Sequence, residues 1–504
     1  MDDHSNRTTS PDQDASVRED APNGQGHSRR RFLQLGAAGV AGLVGACQPE
    51  PTGPNTGSGG TGSGGSPSGG TNSPSGGTPA SGGQSSGGTS SGGRVTGGTT
   101  SGGTTASGGS GTGGGGSIIR GEDTTKGCSV ASVPSMNNAK LPDPFKFFNG
   151  TRLSKKEDWT CLRAELKAAL QAGVYGPKMP KPDTVTATYS GGTLTINMTV
   201  GSTKATLSVT VSGGGSASSK KPCLICCGAS SLPALSGVAT INMAYNSISS
   251  ESDLSGLVKN LYGNTCAKSG ALIGWAWGCS RIIDGLELCP EAGIDLARIA
   301  VTGCSRCGKG ALAMGAFDER VALTLPQEGG SGGTACWRIS SKEKSLGANI
   351  QECGEITGEA KWQGSDFKSF CGNIATLPCD QHYAVAICAP RAILVIENDI
   401  DWLGPVATYG GGIAGQKVYE ALGIKDRCGV SVAANHSHCA FPSAQQQYLD
   451  AYVNRFLKGS GTTTAVADFH TSGTTTKLGS FKEADWIDWT VPTLSGNLPY
   501  DPFA

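Results

Sequence analysis

The sequence lacks an excess of charge of either sign. Of its 504 residues, 40 are Lys or Arg and 40 are Asp or Glu, so the formal net charge is zero, and charged residues make up only 16% of the chain. It also lacks any long run of basic residues. Proteins that bind nucleic acid normally carry a basic patch, and we therefore exclude nucleic acid as a partner.

Apolar and charged side chains are almost missing between residues 53 and 117. The only charged residue there is Arg94 and the only branched aliphatic residue is Val95, whereas 28 of the 79 glycines of the chain fall in this stretch. Such a segment cannot bury enough apolar surface to offset the entropy of ordering it. The glycines follow no three-residue period, which excludes collagen. We predict a disordered Gly/Ser/Thr-rich linker at 48–117 and one large catalytic domain at 118–504.

The first 47 residues have the pattern of an export signal. The motif S-R-R-R-F-L at 28–33 resembles a twin-arginine signal, and the apolar stretch that follows is too short to span a bilayer as a mature helix. Small residues before Cys47 resemble a bacterial lipoprotein processing site, in which this cysteine carries a lipid; the alternative is ordinary cleavage near Ala46. We interpret 1–47 as the signal of a bacterial protein that is secreted, or is a surface or outer-membrane lipoprotein tethered through Cys47.

Cysteine is abundant, with 18 residues in the chain. In an oxidising compartment, the 17 that follow Cys47 predict disulfide bridges and one odd thiol. The two short spacings, in 223–227 and 304–307, lack the paired partners of a zinc site. We therefore expect no metal, and no cofactor either.

Short apolar runs alternate with helical patterns in the large domain. Residues 184–211 alternate β-forming residues around a Ser-Gly-Gly turn, which predicts an antiparallel meander at the edge of a sheet. Further strands are predicted at 222–227, 237–241, 298–302, 321–325, 391–397 and 429–434, and helices at 269–288, 309–317, 415–422 and 443–458. This order predicts an α/β fold with a mostly parallel, doubly wound sheet covered by helices on both faces.

The turn after the strand at 298–302 carries a candidate nucleophile. It reads G-C-S-R-C-G-K-G at 303–310. A serine between a buried strand and a Gly/Ala-rich helix resembles the nucleophile elbow of α/β-hydrolases, although Cys307 replaces the second glycine of G-x-S-x-G. Ser305 is then the nucleophile and the amide of Arg306 an oxyanion donor. The alternative is a glycine-rich turn with a capping serine.

A serine nucleophile needs a histidine base and an acid that orients it. Of the six histidines, His436 and His438 follow the last strand, where the order of an α/β-hydrolase places the base. We interpret His382 and His470 as structural or surface residues. Acid candidates follow two strands, and topology alone leaves the choice among them open: Glu328, Glu397, Asp399 and Asp401.

Six blocks of sequence, in order, carry a family resemblance. They are V-T-G-C-S-R-C-G-K-G-A (301–311), L-T-L-P-Q-E-G-G-S-G-G-T-A-C-W-R-I-S (323–340), G-A-N-I-Q (347–351), I-D-W-L-G-P (400–405), H-S-H-C-A-F-P (436–442) and W-I-D-W-T-V-P-T-L-S (486–495). The chain resembles the glucuronoyl esterases, carbohydrate esterase family 15, over nearly all of 128–495. The resemblance implies an α/β-hydrolase fold with a three-layer αβα sandwich. It also implies hydrolysis of the ester between lignin alcohols and the 4-O-methyl-glucuronic acid of xylan.

The resemblance also implies roles for individual residues. Ser305 is the nucleophile, His438 the base and Glu328 the acid, with Glu397 or Asp399 as a second or replacement acid. The substrate-contacting residues that it implies are Arg306 at the oxyanion and Lys309, Gln351, Glu359 and Trp402 around the uronic sugar.

Disulfides follow from the resemblance as well. The implied pairs are Cys304 with Cys439, which would pin the nucleophile and base together, and Cys128 with Cys161. Cys336 also occupies a family bridge position, but its usual partner falls near Gly411. We expect Cys353, Cys371 or Cys379 to substitute.

Three other functions stay open. The first is an acetyl-xylan or feruloyl esterase that uses the same triad. The second is a non-catalytic surface lipoprotein that binds polysaccharide. The third is a periplasmic thiol oxidoreductase built on Cys304 and Cys307. For the esterase we expect a glucuronoxylan–lignin ester as substrate and a monomer in solution.

Overall fold

The computed structural model describes residues 121–473 and 476–504. The predicted export signal at 1–47, the linker at 48–117 and the lipidation site Cys47 lie outside these residues. None of the described helices is both long enough and apolar enough to cross a lipid bilayer.

Ten described strands form one sheet in the order β1-β2-β3-β5-β4-β6-β7-β8-β9-β10. The strands β1 to β3 pair antiparallel as a meander, and β3 pairs antiparallel with β5. All other neighbours are parallel. The bounds of the strands are β1 Thr184–Ser190, β2 Thr193–Val200, β3 Thr203–Ser212, β4 Lys221–Cys227, β5 Ala239–Met243, β6 Ile294–Cys304, β7 Val321–Gln327, β8 Ala392–Asn398, β9 Cys428–Ala433 and β10 Ala467–Phe469. The predicted meander and mostly parallel sheet are confirmed.

Most of the described helices lie between strands along the chain, whereas the first precedes β1 and the last follows β10. Their bounds are α1 Trp159–Leu170, α2 Tyr245–Ile248, α3 Leu257–Tyr262, α4 Ala271–Leu288, α5 Arg306–Phe317, α6 Trp337–Ser345, α7 Cys353–Glu359, α8 His382–Ala386, α9 Pro405–Leu422, α10 Gln446–Tyr452 and α11 Glu483–Trp486. The chain therefore has the alternating order that builds an α/β fold.

Apolar side chains cover both faces of the sheet. In β4, Cys223 and Ile225 belong to the larger apolar cluster, with α4, α5 and α9. Their neighbours Leu224 and Cys226 point to the opposite face and pack with Leu449 of α10 in a second cluster. Because successive strand residues alternate between faces, a strand that is apolar throughout must be covered on both sides. This arrangement confirms the three-layer αβα sandwich of an α/β-hydrolase fold.

All four predicted helices are present, and each differs from its predicted bounds: α4 begins two residues later than predicted and α5 three residues earlier. The helix predicted at 415–422 begins ten residues earlier, at Pro405, because the glycines at 410–412 hide it in the sequence. A Cβ on Gly412 would lie 2.4 Å from Val430, so this glycine lets α9 pack closely on β9. The helix predicted at 443–458 consists of a 3₁₀ turn, α10 and a π-helical turn at Val453–Leu457.

The expectation that almost all cysteines form bridges is wrong. The described residues contain three disulfides, Cys128–Cys161, Cys304–Cys439 and Cys353–Cys371. Nine other cysteines are buried thiols outside any disulfide: Cys223, Cys226, Cys266, Cys279, Cys289, Cys336, Cys379, Cys388 and Cys428. In the core a thiol packs as a small apolar side chain. Burial raises the pKa of Cys226 to about 12, which keeps it protonated.

The substitute bridge expected for Cys336 is also wrong. Cys353 and Cys371 pair with each other, and Cys379 remains a buried thiol. Cys336 faces α9 instead, where a Cβ on Gly411 would lie 3.2 Å from its sulfur. A glycine at this point of α9 therefore leaves room for the thiol.

We predict that Gly308→Ala destabilises the domain by roughly 1–3 kcal/mol, because overpacking forces neighbouring backbone to move. A Cβ at this position in α5 would lie 2.1 Å from the carbonyl oxygen of Gln327 in β7. Urea unfolding of the variant measures the loss. The matched control is Gly358→Ala in α7, where a Cβ meets nothing within 4 Å. Equal stabilities of the two variants would contradict the close packing of α5 on β7.

Candidate active site

Ser305 lies in a tight turn between β6 and α5. Its backbone has φ 61° and ψ −125°, and its amide donates a hydrogen bond to the Gln327 carbonyl at 3.0 Å. A Cβ on Gly303 would lie 2.4 Å from the carbonyl oxygen of Cys307, so only glycine fits at that point of the turn. Because α5 starts directly after Ser305, the positive end of its dipole faces the serine. The turn has the geometry of a nucleophile elbow.

Glu328 and His438 form a close pair. Glu328 follows β7, is fully buried, and is held by a hydrogen bond from its own amide to the Ile396 carbonyl at 2.7 Å. Its Oε2 lies 2.8 Å from His438 Nδ1 and accepts a second bond from the Cys439 amide, also at 2.8 Å. Since a carboxylate only accepts, the pair places the proton on Nδ1 and leaves the lone pair on Nε2.

A disulfide joins the residues that flank the serine and the histidine. Cys304 precedes Ser305, Cys439 follows His438, and the two Cα atoms are 5.8 Å apart. These are the partners that the family resemblance implies, as are Cys128 and Cys161. With Cys304 bridged to Cys439, a redox pair of Cys304 with Cys307 is not formed, which argues against a thiol oxidoreductase.

The same atoms could be mistaken for a metal site. One potential ligand atom from each of Cys304, Glu328, His438 and Cys439 lies within 4.8 Å of the others. The two sulfur atoms are bonded to each other, however, and a disulfide offers no thiolate to a metal ion. The group is therefore better described as an acid–base pair beside a covalent bridge.

The strained backbone of the described chain concentrates at this site. Five non-glycine residues have positive φ, and three of them are Ser305, Glu328 and Cys439, with φ of 61°, 48° and 61°. Such conformations cost about 1–3 kcal/mol each and persist where the surrounding structure enforces them. Their clustering is typical of an active site.

The other acid candidates form hydrogen bonds with groups other than His438. Glu397 accepts hydrogen bonds from the Gly330 amide at 3.1 Å and from Thr408 Oγ1 at 3.2 Å. Burial, with the nearby charge of Glu328, raises the pKa of Glu397 to about 8. Asp399 accepts from the Ser472 amide at 2.6 Å and Asp401 from Asn349 at 2.8 Å. Of the four acid candidates, Glu328 is the one whose carboxylate is hydrogen-bonded to His438.

None of the other described histidines lies within hydrogen-bonding distance of Glu328. His436 Nε2 lies 3.1 Å from the Ala433 carbonyl, and its Nδ1 is 3.8 Å from Glu328. His382 is fully buried beside the Pro142 carbonyl, and this burial lowers its pKa to about 4, so it is neutral near pH 7. His470 is exposed and pairs with Asp468 at 2.7 Å.

Two cations of α5 lie beside one indole. Arg306 Nη1 donates to Glu251 at 2.6 Å, and its guanidinium carbon is 6.0 Å from the centroid of the Trp362 ring. Lys309 is buried, and its ammonium donates to the carbonyls of Gly329 at 2.6 Å and Ser331 at 2.7 Å. It lies 5.2 Å from the same Trp362 centroid. Burial lowers the pKa of Lys309 to about 8.

The other residues predicted to hold a sugar are brought together near the histidine. The Trp402 ring packs edge-on against His438 with centroids 4.8 Å apart. The Gln351 amide donates to the Trp402 carbonyl at 3.2 Å, and its side chain donates to Glu359 at 2.8 Å. Trp402, Gln351 and Glu359 therefore form a continuous chain of contacts that leads away from His438.

Three residues at the site were not identified from the sequence. Glu251 and Trp362 lie more than 50 positions from Arg306 and belong to no local motif. Asn398 follows Glu397 and donates to Glu328 at 3.3 Å and to His436 Nδ1 at 3.1 Å. Its place at the end of β8, where active-site residues gather in parallel sheets, is the one signal that could have indicated it.

Comparison with known proteins shows the family of the chain. The family described as "Glucuronyl esterase, fungi" matches residues 196–423. A protein of Hypocrea jecorina named 4-O-methyl-glucuronoyl methylesterase is 44% identical over 370 residues, which cover 72% of this chain and 78% of that protein. The chain belongs to the glucuronoyl esterase family.

Solved structures of the family have the same fold. The glucuronoyl esterase catalytic domain from Hypocrea jecorina is 43% identical and covers 72% of this chain and 99% of that domain, with a TM-score of 0.68. A serine-to-alanine mutant of the esterase from Sporotrichum thermophile was solved with methyl 4-O-methyl-beta-D-glucopyranuronate. It is 39% identical, covers 73% of this chain and all of that one, and also has a TM-score of 0.68. These relatives are fungal, and their similarity supports the family rather than a bacterial source.

We predict that activity falls as the pH rises through about 8, because the Lys309 ammonium loses its proton there. Below that pH the cation is present, and above it the charge next to the site disappears. The profile of kcat/KM against pH for a glucuronate ester measures this alkaline limb. The Lys309→Met variant keeps most of the length of the side chain without the ammonium group, so it should be less active and lack this limb. An unchanged limb in the variant would assign it to another group.

Proposed function

We propose that this chain is a serine esterase that hydrolyses the ester between 4-O-methyl-D-glucuronic acid of glucuronoxylan and a lignin alcohol. The observation that carries the proposal is the hydrogen bond between Glu328 and His438. A disulfide links the residue after His438 to the residue before Ser305 and so holds this pair beside the nucleophile turn. The name of the Hypocrea jecorina relative and the ligand in the Sporotrichum thermophile structure support this choice of substrate.

In the first half of the reaction, Ser305 attacks the ester carbonyl of the uronic acid. His438 Nε2 takes the proton from Oγ as the new carbon–oxygen bond forms, and Glu328 stabilises the imidazolium through Nδ1. Negative charge develops on the carbonyl oxygen. The amides at the start of α5 and the Arg306 guanidinium stabilise this oxyanion.

Collapse of the tetrahedral intermediate breaks the bond to the alcohol. His438 returns its proton to the leaving alkoxide, and the glucuronoyl group remains bound to Ser305 as an ester. Water then attacks this acyl-enzyme, with His438 again as the base, and releases free uronate and the serine hydroxyl.

The sugar is held, we infer, by the contacts that lead away from His438. The Trp402 indole offers an apolar face to the sugar ring, and Gln351 and Glu359 offer an amide and a carboxylate to its hydroxyls. Lys309 has two hydrogen bonds to backbone carbonyls, which leaves one of its three N–H groups for the substrate.

The cellular location is proposed from the sequence alone. The twin-arginine motif supports export, and the small residues before Cys47 support lipid attachment in a bacterium, with the 48–117 segment as the tether. In general, the average end-to-end distance of a Gly/Ser-rich linker of this length is roughly 45 Å. This length would let an anchored esterase, which we propose acts as a monomer, reach an insoluble cell wall.

Kinetics on benzyl glucuronate test the nucleophile. We expect Ser305→Ala to lose essentially all turnover, because no other group at the elbow can form the acyl-enzyme. Rates on acetylated xylan and on a feruloyl ester, measured for the wild type, separate the glucuronoyl esterase from the related esterases. Full activity in Ser305→Ala would falsify the proposal, and inertness of the wild type toward a phosphonofluoridate probe would support a non-catalytic lipoprotein.

A second experiment assigns the acid. We expect Glu328→Gln to lower kcat on the order of 10⁴-fold, as in serine hydrolases whose acid can no longer fix the histidine tautomer. Glu397→Gln, whose carboxyl is equally buried but bonds to Gly330 and Thr408, should lose less than about tenfold. The reverse order of the two losses would transfer the role of the acid to Glu397.

A further inference from the structure

Glu251 holds two side chains of the site with one carboxylate. Its Oε1 accepts a hydrogen bond from Arg306 Nη1 at 2.6 Å, and its Oε2 accepts one from Trp362 Nε1 at 2.5 Å. The carboxylate is only 10% exposed. The Lys361 amide also donates to the Glu251 carbonyl at 2.7 Å, which fixes the backbone of Glu251 to the segment that carries Trp362. One oxygen is thus committed to Arg306, which directly follows Ser305, and the other to Trp362.

Trp362 completes this arrangement. It is 3% exposed, and its N–H points to Glu251 while the ring lies within cation–π distance of Arg306 and Lys309. The indole N–H therefore holds Glu251 Oε2, the carboxylate oxygen that does not bond to Arg306. A carboxylate held in this way has one orientation to offer to the guanidinium.

The charges at the site explain why an anion is needed there. Arg306 and Lys309 are one turn apart on α5, and the charge of Arg306 contributes to the lowered pKa of Lys309. Burial by itself lowers the pKa of Arg306, but the charge and hydrogen bond of Glu251, with smaller contributions from Tyr245 and Glu359, more than offset this, so that its pKa lies above the ordinary value. Without Glu251, two partly desolvated cations would repel each other.

We propose that Glu251 is a positioning residue for the esterase reaction: it fixes the Arg306 guanidinium next to Ser305, with Trp362 as its brace. The inference rests on the proposed function, in which Arg306 stabilises the oxyanion. Guanidinium is planar with five donors in a fixed fork, so a hydrogen bond at Nη1 constrains the directions of the other four. Donors oriented in advance stabilise the transition state without reorganising when charge develops.

A double-mutant cycle separates positioning from a structural role. Glu251→Gln keeps the size of the side chain, but its amide N–H must face either Arg306 or Trp362, both of which are donors. We expect kcat for benzyl glucuronate to fall on the order of tenfold or more, with KM changed by less than about threefold. In an Arg306→Met background, the same substitution should change kcat by less than about twofold, because the group that it positions is gone.

The matched control is Glu355→Gln. Its carboxylate also pairs with a cation at 2.6 Å, Lys344, but both side chains are exposed and lie outside the site. We expect wild-type kinetics from this variant. Thermal unfolding of all variants shows whether a loss of kcat accompanies loss of the fold.

If Glu251→Gln does not fold, two milder variants take its place. Glu251→Asp keeps the negative charge but moves it away from Arg306. Trp362→Phe removes the N–H that bonds to Glu251 and keeps an aromatic ring at this position. Both should lower kcat in the wild-type background and have little effect in the Arg306→Met background. Losses of equal factor in both backgrounds, or no loss in either, would overturn the inference. Failure of the proposed function itself is recognised separately, by activity that persists in Ser305→Ala.

Discussion

The site depends on one buried carboxylate. Glu328 is removed from water at the end of β7, and an isolated charge there would be strongly unfavourable. Four donors offset this cost: His438 Nδ1, the Cys439 amide, and the side chains of Asn398 and Gln327. Because two of these donors belong to the loop after β9, satisfying Glu328 also places the histidine. The Cys304–Cys439 bond then ties that loop to the end of β6, so the segments that carry the serine and the histidine are held together by a covalent bond.

The packing beneath the site is governed by small residues. Gly303 and Gly308 let α5 approach β6 and β7 closely enough for the serine turn to form, and Gly412 does the same for α9 on β9. Buried thiols, such as Cys226 in β4, pack in the core as small apolar side chains. The cysteine content of the domain therefore reflects packing at least as much as covalent bridging. A domain with a large core can be stable without using every cysteine as a bridge.

Charge around the nucleophile is balanced rather than positive. The Lys309 ammonium donates hydrogen bonds to backbone carbonyls, and Arg306 forms an ion pair with Glu251. Both cations are therefore held in place by the protein before a substrate binds. Trp362 touches both and is itself held by Glu251. A uronic ester is neutral at its carbonyl and gains charge only in the transition state. Cations fixed in advance favour that state over the ground state, which is the requirement for a higher kcat.

The sequence by itself determined the fold class, the elbow at Ser305, and a short set of bases and acids. These features have local signals: alternation in β1 to β3, apolar runs in β4 and β8, and glycines around the serine. Tertiary structure decided three other features. On physical grounds it chose Glu328 over Glu397 as the acid. It also determined the bridge between Cys353 and Cys371 and the contacts of Glu251 with Arg306 and Trp362. Each of these features either joins segments that are distant in the chain or selects one of several chemically similar residues. The local spacing of residues carries no information on which buried groups come into contact. Hydrogen-bond satisfaction and close packing in three dimensions make that choice.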